Sequence, residues 1–269
     1  MNVVVVVQAR TGSTRLPGKI LLPLAGKPLL LRMLERVRAA STPFRIVVAT
    51  TTEPSDDPVE DLCRNEDIAV YRGHPTDLLD RHYRAALPYG PDAVVKIPSD
   101  CPLIDPAVID SVLSAFLTSY PQYDFASNLH PASFPDGNDV EIMKFATLHR
   151  AWEEATRDFE REHTTPFIWE RPDQFSLCNI SYPGGKNLSM THRWTIDYPD
   201  DYRFIARIYD ELWKPENPLF TMADVLQLLA AKPDLAGINS RYAGVNWYRN
   251  YLHELKTVKS SETKTDITA

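Results

Sequence analysis

The stretch Gln8-Ala9-Arg10-Thr11-Gly12-Ser13-Thr14-Arg15-Leu16-Pro17-Gly18-Lys19 puts three cations, two glycines and small hydroxyl residues into one segment. It follows directly on the apolar run Val3 to Val7, so it must form a loop where a buried strand ends. Glycine frees backbone N–H groups to point at an anion, and the fixed cations add charge, a combination that suits a polyphosphate. The chemistry indicated is the binding of a nucleotide.

Two carboxylates stand at comparable places. Asp100 follows the strand-like Asp92 to Ile97, in a turn held by Pro98 and Pro102; Asp197 closes the strand-like Arg193 to Asp197. Asp105 directly before Pro106 makes the better helix cap, as Asp200 does further on, which leaves Asp100 and Asp197 free. Together they could hold one Mg²⁺, whose role would be to bridge and neutralise phosphates. A further group comprises Asp136, Asp139, Glu141, Arg161, Glu162 and His163. A single histidine such as His163 reads first as a structural group or hydrogen-bond donor. Gly12 to Gly18-Lys19 has five intervening residues and is followed by Ile20, so it is not a P-loop; HExxH and GxSxG motifs are absent.

Composition narrows the class. The chain has 269 residues, 43% hydrophobic and 24% charged, enough for one large α/β domain. A formal net charge of -7 argues against a general nucleic-acid binder. A local basic site in an acidic chain fits a small anionic ligand. Cys63, Cys101 and Cys178 are widely separated, which disfavours a thiolate metal site or a disulfide framework. The apolar start is short and lacks a basic flank, so no membrane partner and a reducing cytoplasm are expected.

Elements that would place these groups alternate. Strands are expected at Val3–Val7, Arg45–Thr50, Ile68–Tyr71 and Asp92–Ile97. Helices are expected after Pro28, at Asp57–Asn65, at Asp77–Leu87 and from Pro106. Such alternation predicts a three-layer α/β/α fold with a mostly parallel sheet. From about 123 to 185 the pattern changes to an insertion with antiparallel character, with strands at Asp124–Asn128, Asp139–Phe145 and Gln174–Tyr182 around a helix at Ala146–Arg157. A strand at Arg193–Asp197 and two helices, around Phe204–Leu212 and Met222–Ala231, complete a single domain over 1–255. Residues 256–269 are nearly devoid of apolar side chains and are expected to be a disordered tail.

The loop at Gln8–Lys19 with Gly26-Lys27-Pro28-Leu29 closely resembles the N-terminal signature of the spore coat polysaccharide biosynthesis protein F family, related to CMP-KDO synthetases and acylneuraminate cytidylyltransferases. The likeness continues through Val48-Ala49-Thr50-Thr51, Arg72-Gly73, Asp77-Leu78-Leu79-Asp80-Arg81, Ser99 to Asp105, Ser127-Asn128, Pro135 to Glu141, Arg161 to Pro166 and Arg193 to Asp197, roughly residues 2–240. The resemblance implies a glycosyltransferase-A-like nucleotidyltransferase that joins CTP to a sugar or sugar acid and releases pyrophosphate. It implies nucleotide contacts at Gln8, Ala9, Arg10, Gly12, Ser13, Arg15, Lys19, Thr50, Asp80, Arg81 and Ser99. Lys19, Arg15 and Asp100 would carry catalysis, and Asp100 and Asp197 would ligate Mg²⁺. Asn128, Asp139, Glu141, Arg161, His163 and Arg193 would face the sugar-like acceptor, with a homodimer formed through the insertion. Two other readings stand beside it: a glycosyltransferase of the same fold consuming a nucleotide sugar, which would normally carry an acidic DxD motif, and a non-catalytic nucleotide-binding protein.

Overall fold

A computed structural model describes residues 1–266. The first strand, β1 (Val3–Gln8), explains the layering. Val4, Val5, Val6 and Val7 are fully buried. Strand periodicity sends Val3, Val5 and Val7 into one apolar cluster and Val4 and Val6 into another on the opposite face. A small hairpin, β2 (Pro23–Leu24) with β3 (Lys27–Pro28), closes the loop after β1 and leads into α1 (Leu29–Arg38). Then come β4 (Arg45–Thr51), α2 (Asp57–Asn65), β5 (Ala69–Gly73), α3 (Leu78–Ala86) and β6 (Ala93–Pro98). Helices α1, α2 and α4 (Pro106–Thr118) pack on the face of Val3, Val5 and Val7, and α3 on the other.

In the insertion lie β7 (Phe125–Ser127), β8 (Glu141–Lys144), α5 (Phe145–Glu154), α6 (Asp158–His163), α7 (Pro166–Trp169) and β9 (Leu177–Asn179). Its strands extend the main sheet, whose order is β5-β4-β1-β6-β8-β7-β9. The first four strands run parallel, β8 is antiparallel to both β6 and β7, and β9 is parallel to β7. A third apolar cluster joins α8 (Pro199–Leu212) and α9 (Met222–Ala231) to Leu29, Leu103 and Trp194, with α10 (Pro233–Gly237) beside them. From β1 the chain moves out to β4 and β5, then returns to β6 on the other side of β1. That reversal opens a crevice beyond the carboxyl ends of β1 and β6, the usual ligand position in such sheets.

Two expectations differ from the structure. Arg193–Asp197 is extended but forms no ladder. It is pinned at three points: Trp194 N–H donates to Asp136 O at 2.6 Å, Ile196 N–H to Asp100 O at 3.0 Å, and Arg193 bridges to Asp136. The alternation is real, since Trp194 and Ile196 are fully buried, but the neighbours are loops. Gly137 is required there: at φ +108 a Cβ would lie 2.7 Å from the Trp194 carbonyl carbon. The segment 256–266 is docked, not a free tail. Backbone N–H groups of Lys256 and Thr257 donate to the Glu170 carboxylate, Lys264 N–H donates to Gly244 O, and Thr263 is buried. Low apolar content misled here because polar backbone anchoring holds the segment. The last three residues of the expected tail, 267–269, lie outside the described residues.

Candidate active site

Three tethers shape the basic loop. The Asp56 carboxylate accepts from Thr11 N–H and from Thr11 Oγ1, both at 2.7 Å, and from Thr51 Oγ1 at 2.5 Å. These donors hold Asp56 below the usual carboxylate range against the effect of burial. Gly18, at φ +68, turns the chain so that its N–H returns to Thr11 O at 2.9 Å. Lys19 then points inward.

Asp100 and Asp197 come from segments almost a hundred residues apart and meet at Lys19. Its Nζ donates to Asp100 Oδ2 at 2.7 Å, to Asp197 Oδ1 at 3.2 Å and to Ile196 O at 2.5 Å. Burial alone would lower the Lys19 pKa, but the two carboxylates raise it, so the ammonium is firmly charged. Arg15 adds a 2.6 Å contact to Asp197 Oδ1. Burial would raise Asp197, yet Lys19, Arg193 and Arg15 hold it well below the ordinary range.

Gln8, Arg10, Gly12, Ser13, Arg15, Lys19, Arg81, Ser99, Asp100, Asn128, Asp139, Glu141, His163, Arg193 and Asp197 all line one cavity of about 1130 Å³. Gln8 Oε1 accepts from Arg81 Nε at 3.0 Å and Nη2 at 2.7 Å, and Arg10 reaches Pro75 O. Burial lowers Arg81 to about 10. The far wall carries Glu141, which accepts from Lys96 Nζ at 2.5 Å and Thr165 Oγ1 at 2.7 Å. Despite burial, Lys96 and His130 pull Glu141 down to about 2. Asp139 has no ion-pair partner among the described residues, and burial pushes it up to about 6.

Four expected contacts fall elsewhere. Ala9 and Thr50 are buried behind the cavity, where Ala9 N–H pairs with Ala49 O. Asp80 is taken by Arg84 and Trp152, and Arg161 by Asp77 and Trp152 O. Two lining residues are committed to structure. Asn128 braces the loop through Asn138 O and Val140 N. Arg193, with only 1% of its side chain exposed, bonds Asp136, Asp197, Asp201 and Val245 O. Asp105 caps α4 as expected, accepting from Ala107 N–H at 2.8 Å. At α8 it is Asp201, not Asp200, that accepts from the Asp197 and Tyr198 N–H groups. Asp200 pairs instead with Arg203 and Arg241. Residues that sequence reasoning missed are Gly244–Tyr251 with Thr257, Val258, Lys259, Ser261 and Glu262, which also line the cavity. Aromatic residues such as Trp247 read most simply as core or interface groups, although the density of Trp247-Tyr248-Arg249-Asn250-Tyr251 is a signal that could have found them.

Behind the loop His82 is fully buried with Nε2 unpartnered, and burial, with Lys96 nearby, drops its pKa to about 3. The folded chain keeps it neutral while the unfolded chain takes up a proton below about 6.5. Its contribution is therefore complete above that pH and is lost as pH falls toward about 3. Between pH 7.5 and 5.5 this group should cost about 1.4 kcal/mol of stability. Urea unfolding of wild type and His82→Gln at both pH values checks this. An equal loss in the two proteins would remove the assignment.

A parallel sheet that presents a basic loop beside two convergent carboxylates at its switch point defines an α/β nucleotidyltransferase. The sequence profile of the family described as Cytidylyltransferase matches residues 4–223. The chain belongs to the cytidylyltransferase family. It is 32% identical over 241 residues to an uncharacterized protein of Methanocaldococcus jannaschii, covering 89% of this chain and 95% of that one. It is 28% identical to the spore coat polysaccharide biosynthesis protein SpsF of Bacillus subtilis, covering 87% and 97%. The structure of a cytidylyltransferase from Leptospira borgpetersenii superposes with a TM-score of 0.81 at 32% identity, covering 88% and 97%.

Proposed function

We propose that this chain transfers the cytidylyl group of CTP to a hydroxyl of a sugar or sugar acid, giving a CMP-sugar and pyrophosphate for surface polysaccharide or glycan synthesis. The observation that carries the reading is the meeting of Lys19, Arg15, Asp100 and Asp197 beside the Gly12–Gly18 loop. The acceptor hydroxyl oxygen attacks the α-phosphorus and gives up its proton to solvent, the bond from that phosphorus to the α–β bridging oxygen breaks, and pyrophosphate leaves. Such a reaction depends on positioning and charge neutralisation. Arg10, Ser13, Arg15 and Lys19 hold the triphosphate, and Lys19 and Arg15 take up charge developing on the leaving group. Asn128, Asp139, Glu141 and His163 border the acceptor's half of the cavity.

The donor set fits Mg²⁺. Two hard carboxylate oxygens converge on the Lys19 ammonium, and among the described residues Asp100 Oδ1 is contacted only by the Cys101 thiol. Among the described residues no cluster of three or more metal-ligating side chains exists, in keeping with an ion that takes one or two carboxylates and completes its shell with phosphates and water. Bound there, Mg²⁺ would neutralise the α-phosphate as the acceptor attacks. Asp100 and Asp197 would hold it, and Lys19 would turn from them to the phosphates.

The protein is proposed to act in the cytoplasm as a homodimer through the 123–185 insertion, whose β9 forms one edge of the sheet. No helix among the described residues is long and apolar enough to cross a membrane. Nucleic acid is not a proposed partner. A pyrophosphate-release assay crossing the four NTPs with sugar acceptors tests the reading. CTP should support release at least tenfold faster than UTP, ATP or GTP; release from no NTP, or a preference for another base, would overturn it.

A further inference from the structure

Three oxygens of the kind that hold a hard cation already hold one. Asp100 Oδ2, Asp197 Oδ1 and the backbone Ile196 O accept from Lys19 Nζ at 2.7, 3.2 and 2.5 Å. The buried ammonium thus stands where the two carboxylates meet, among the donors that suit Mg²⁺. Asp197 is engaged on both oxygens: Arg15 shares Oδ1 at 2.6 Å, and Oδ2 accepts from Arg193 Nη2 at 2.9 Å.

Charge decides what such a site can take. Lys19 and Arg15 balance Asp100 and Asp197, while Arg193 is also matched by Asp136 and Asp201. A divalent ion arriving alone meets neutralised carboxylates, and an ammonium of like charge in contact with its ligands repels it at short range. A triphosphate changes that balance. It brings several negative charges to Arg10, Arg15 and Lys19, which line the same cavity, and so draws cations off the carboxylates. Lys19 can make this move without moving the loop. Its backbone is fixed in a turn, where Leu21 N–H donates to Gly18 O at 2.9 Å, and its four-carbon stem carries the ammonium on rotatable bonds.

We propose that Lys19 is a resident cation that shuts the divalent-metal site until a nucleotide arrives. This rests on the nucleotidyltransferase reading for the identity of that nucleotide. One side chain serves two partners in turn, the carboxylates when the cavity is free and the phosphates when it is filled. The coupling is reciprocal: the nucleotide raises the affinity for the metal, and the metal raises the affinity for the nucleotide by the same factor.

Water-proton relaxation on the full-length chain tests this with Mn²⁺ as the probe, since protein-bound Mn²⁺ relaxes water more strongly than the free ion. Lys19→Met and Lys19→Gln remove the charge but keep a long side chain. Both should bind Mn²⁺ alone about tenfold or more tightly than wild type does, and adding Asp100→Asn should abolish that gain. Wild type should show a comparable enhancement only once CTP is added, beyond that of Mn²⁺ and CTP without protein. Circular dichroism confirms that each variant is folded. Wild type binding Mn²⁺ as tightly without CTP as with it, or unchanged Mn²⁺ affinity in the folded Lys19 variants, would overturn the proposal. Calorimetry follows CTP binding to wild type separately, with Mg²⁺ present. If CTP fails to bind while the Lys19 variants still gain the metal, the exclusion by Lys19 stands and the nucleotidyltransferase reading beneath it falls.

Discussion

Lys19→Ala is expected to slow pyrophosphate release from CTP by about 10²–10³-fold, the loss typical of one preorganised charge-stabilising donor. Lys19 is 8% exposed and sits where Asp100 and Asp197 meet, so no mobile surface cation can replace it. Its pKa is raised, which keeps the ammonium charged across any working pH and leaves it free to act electrostatically, not as a proton donor. Asp100→Ala should give a loss of similar size, since it removes a carboxylate without disturbing any helix cap: Asp105 caps α4. Initial rates at saturating CTP and acceptor, with circular dichroism to confirm folding, provide the check. Near-wild-type turnover in either variant would remove Lys19 and Asp100 from the mechanism.

The second large effect is on stability. Arg193→Ala should destabilise the fold by about 3–5 kcal/mol, the cost of breaking a buried ion pair from one side. The guanidinium reaches Asp201 at 3.0 and 3.1 Å, Asp197 at 2.9 Å and Asp136 at 3.3 Å. Asp201 is itself fully buried and also accepts from Asn239 Nδ2. Removing the cation leaves three acidic groups facing one another in a poorly solvated space. Even now, burial opposed only by Arg193 pushes Asp136 well above the usual carboxylate range. Arg193→Lys should recover only part of the loss, because a single ammonium cannot reproduce a planar fork with five bonds. Urea denaturation measures both variants, and a loss below about 1 kcal/mol for Arg193→Ala would show that the Arg193 network does not hold the fold together.

These two sites differ in how far they could be read in advance. Lys19 is legible because a cation at the end of a glycine loop after a buried strand has few structural uses. Arg193 looked equally like a ligand contact, since its charge gives no sign of direction. Only packing shows that it turns inward. The segment 193–197 illustrates the same limit: alternation of Trp194 and Ile196 reports burial on one face, but a strand also needs a neighbouring strand, and its neighbours proved to be loops.

The helices and parallel strands were legible because local signals sufficed. Pro106 after Asp105, the β-branched run of β1 and the stripe along α8 each state a period and a boundary in consecutive residues. Which carboxylates share a cation, and which aromatic residues border the cavity, depends on contacts between segments far apart in the chain. Trp247 reaches His163 across 84 positions and Thr257 reaches Glu170 across 87. The chain alone thus determined a layered α/β scaffold and a basic glycine loop at the end of its first strand, whose physics is written in neighbouring residues. Tertiary structure decided the far wall and the inward turn of Arg193, because long-range charge pairing and stacking leave no periodic trace in the sequence.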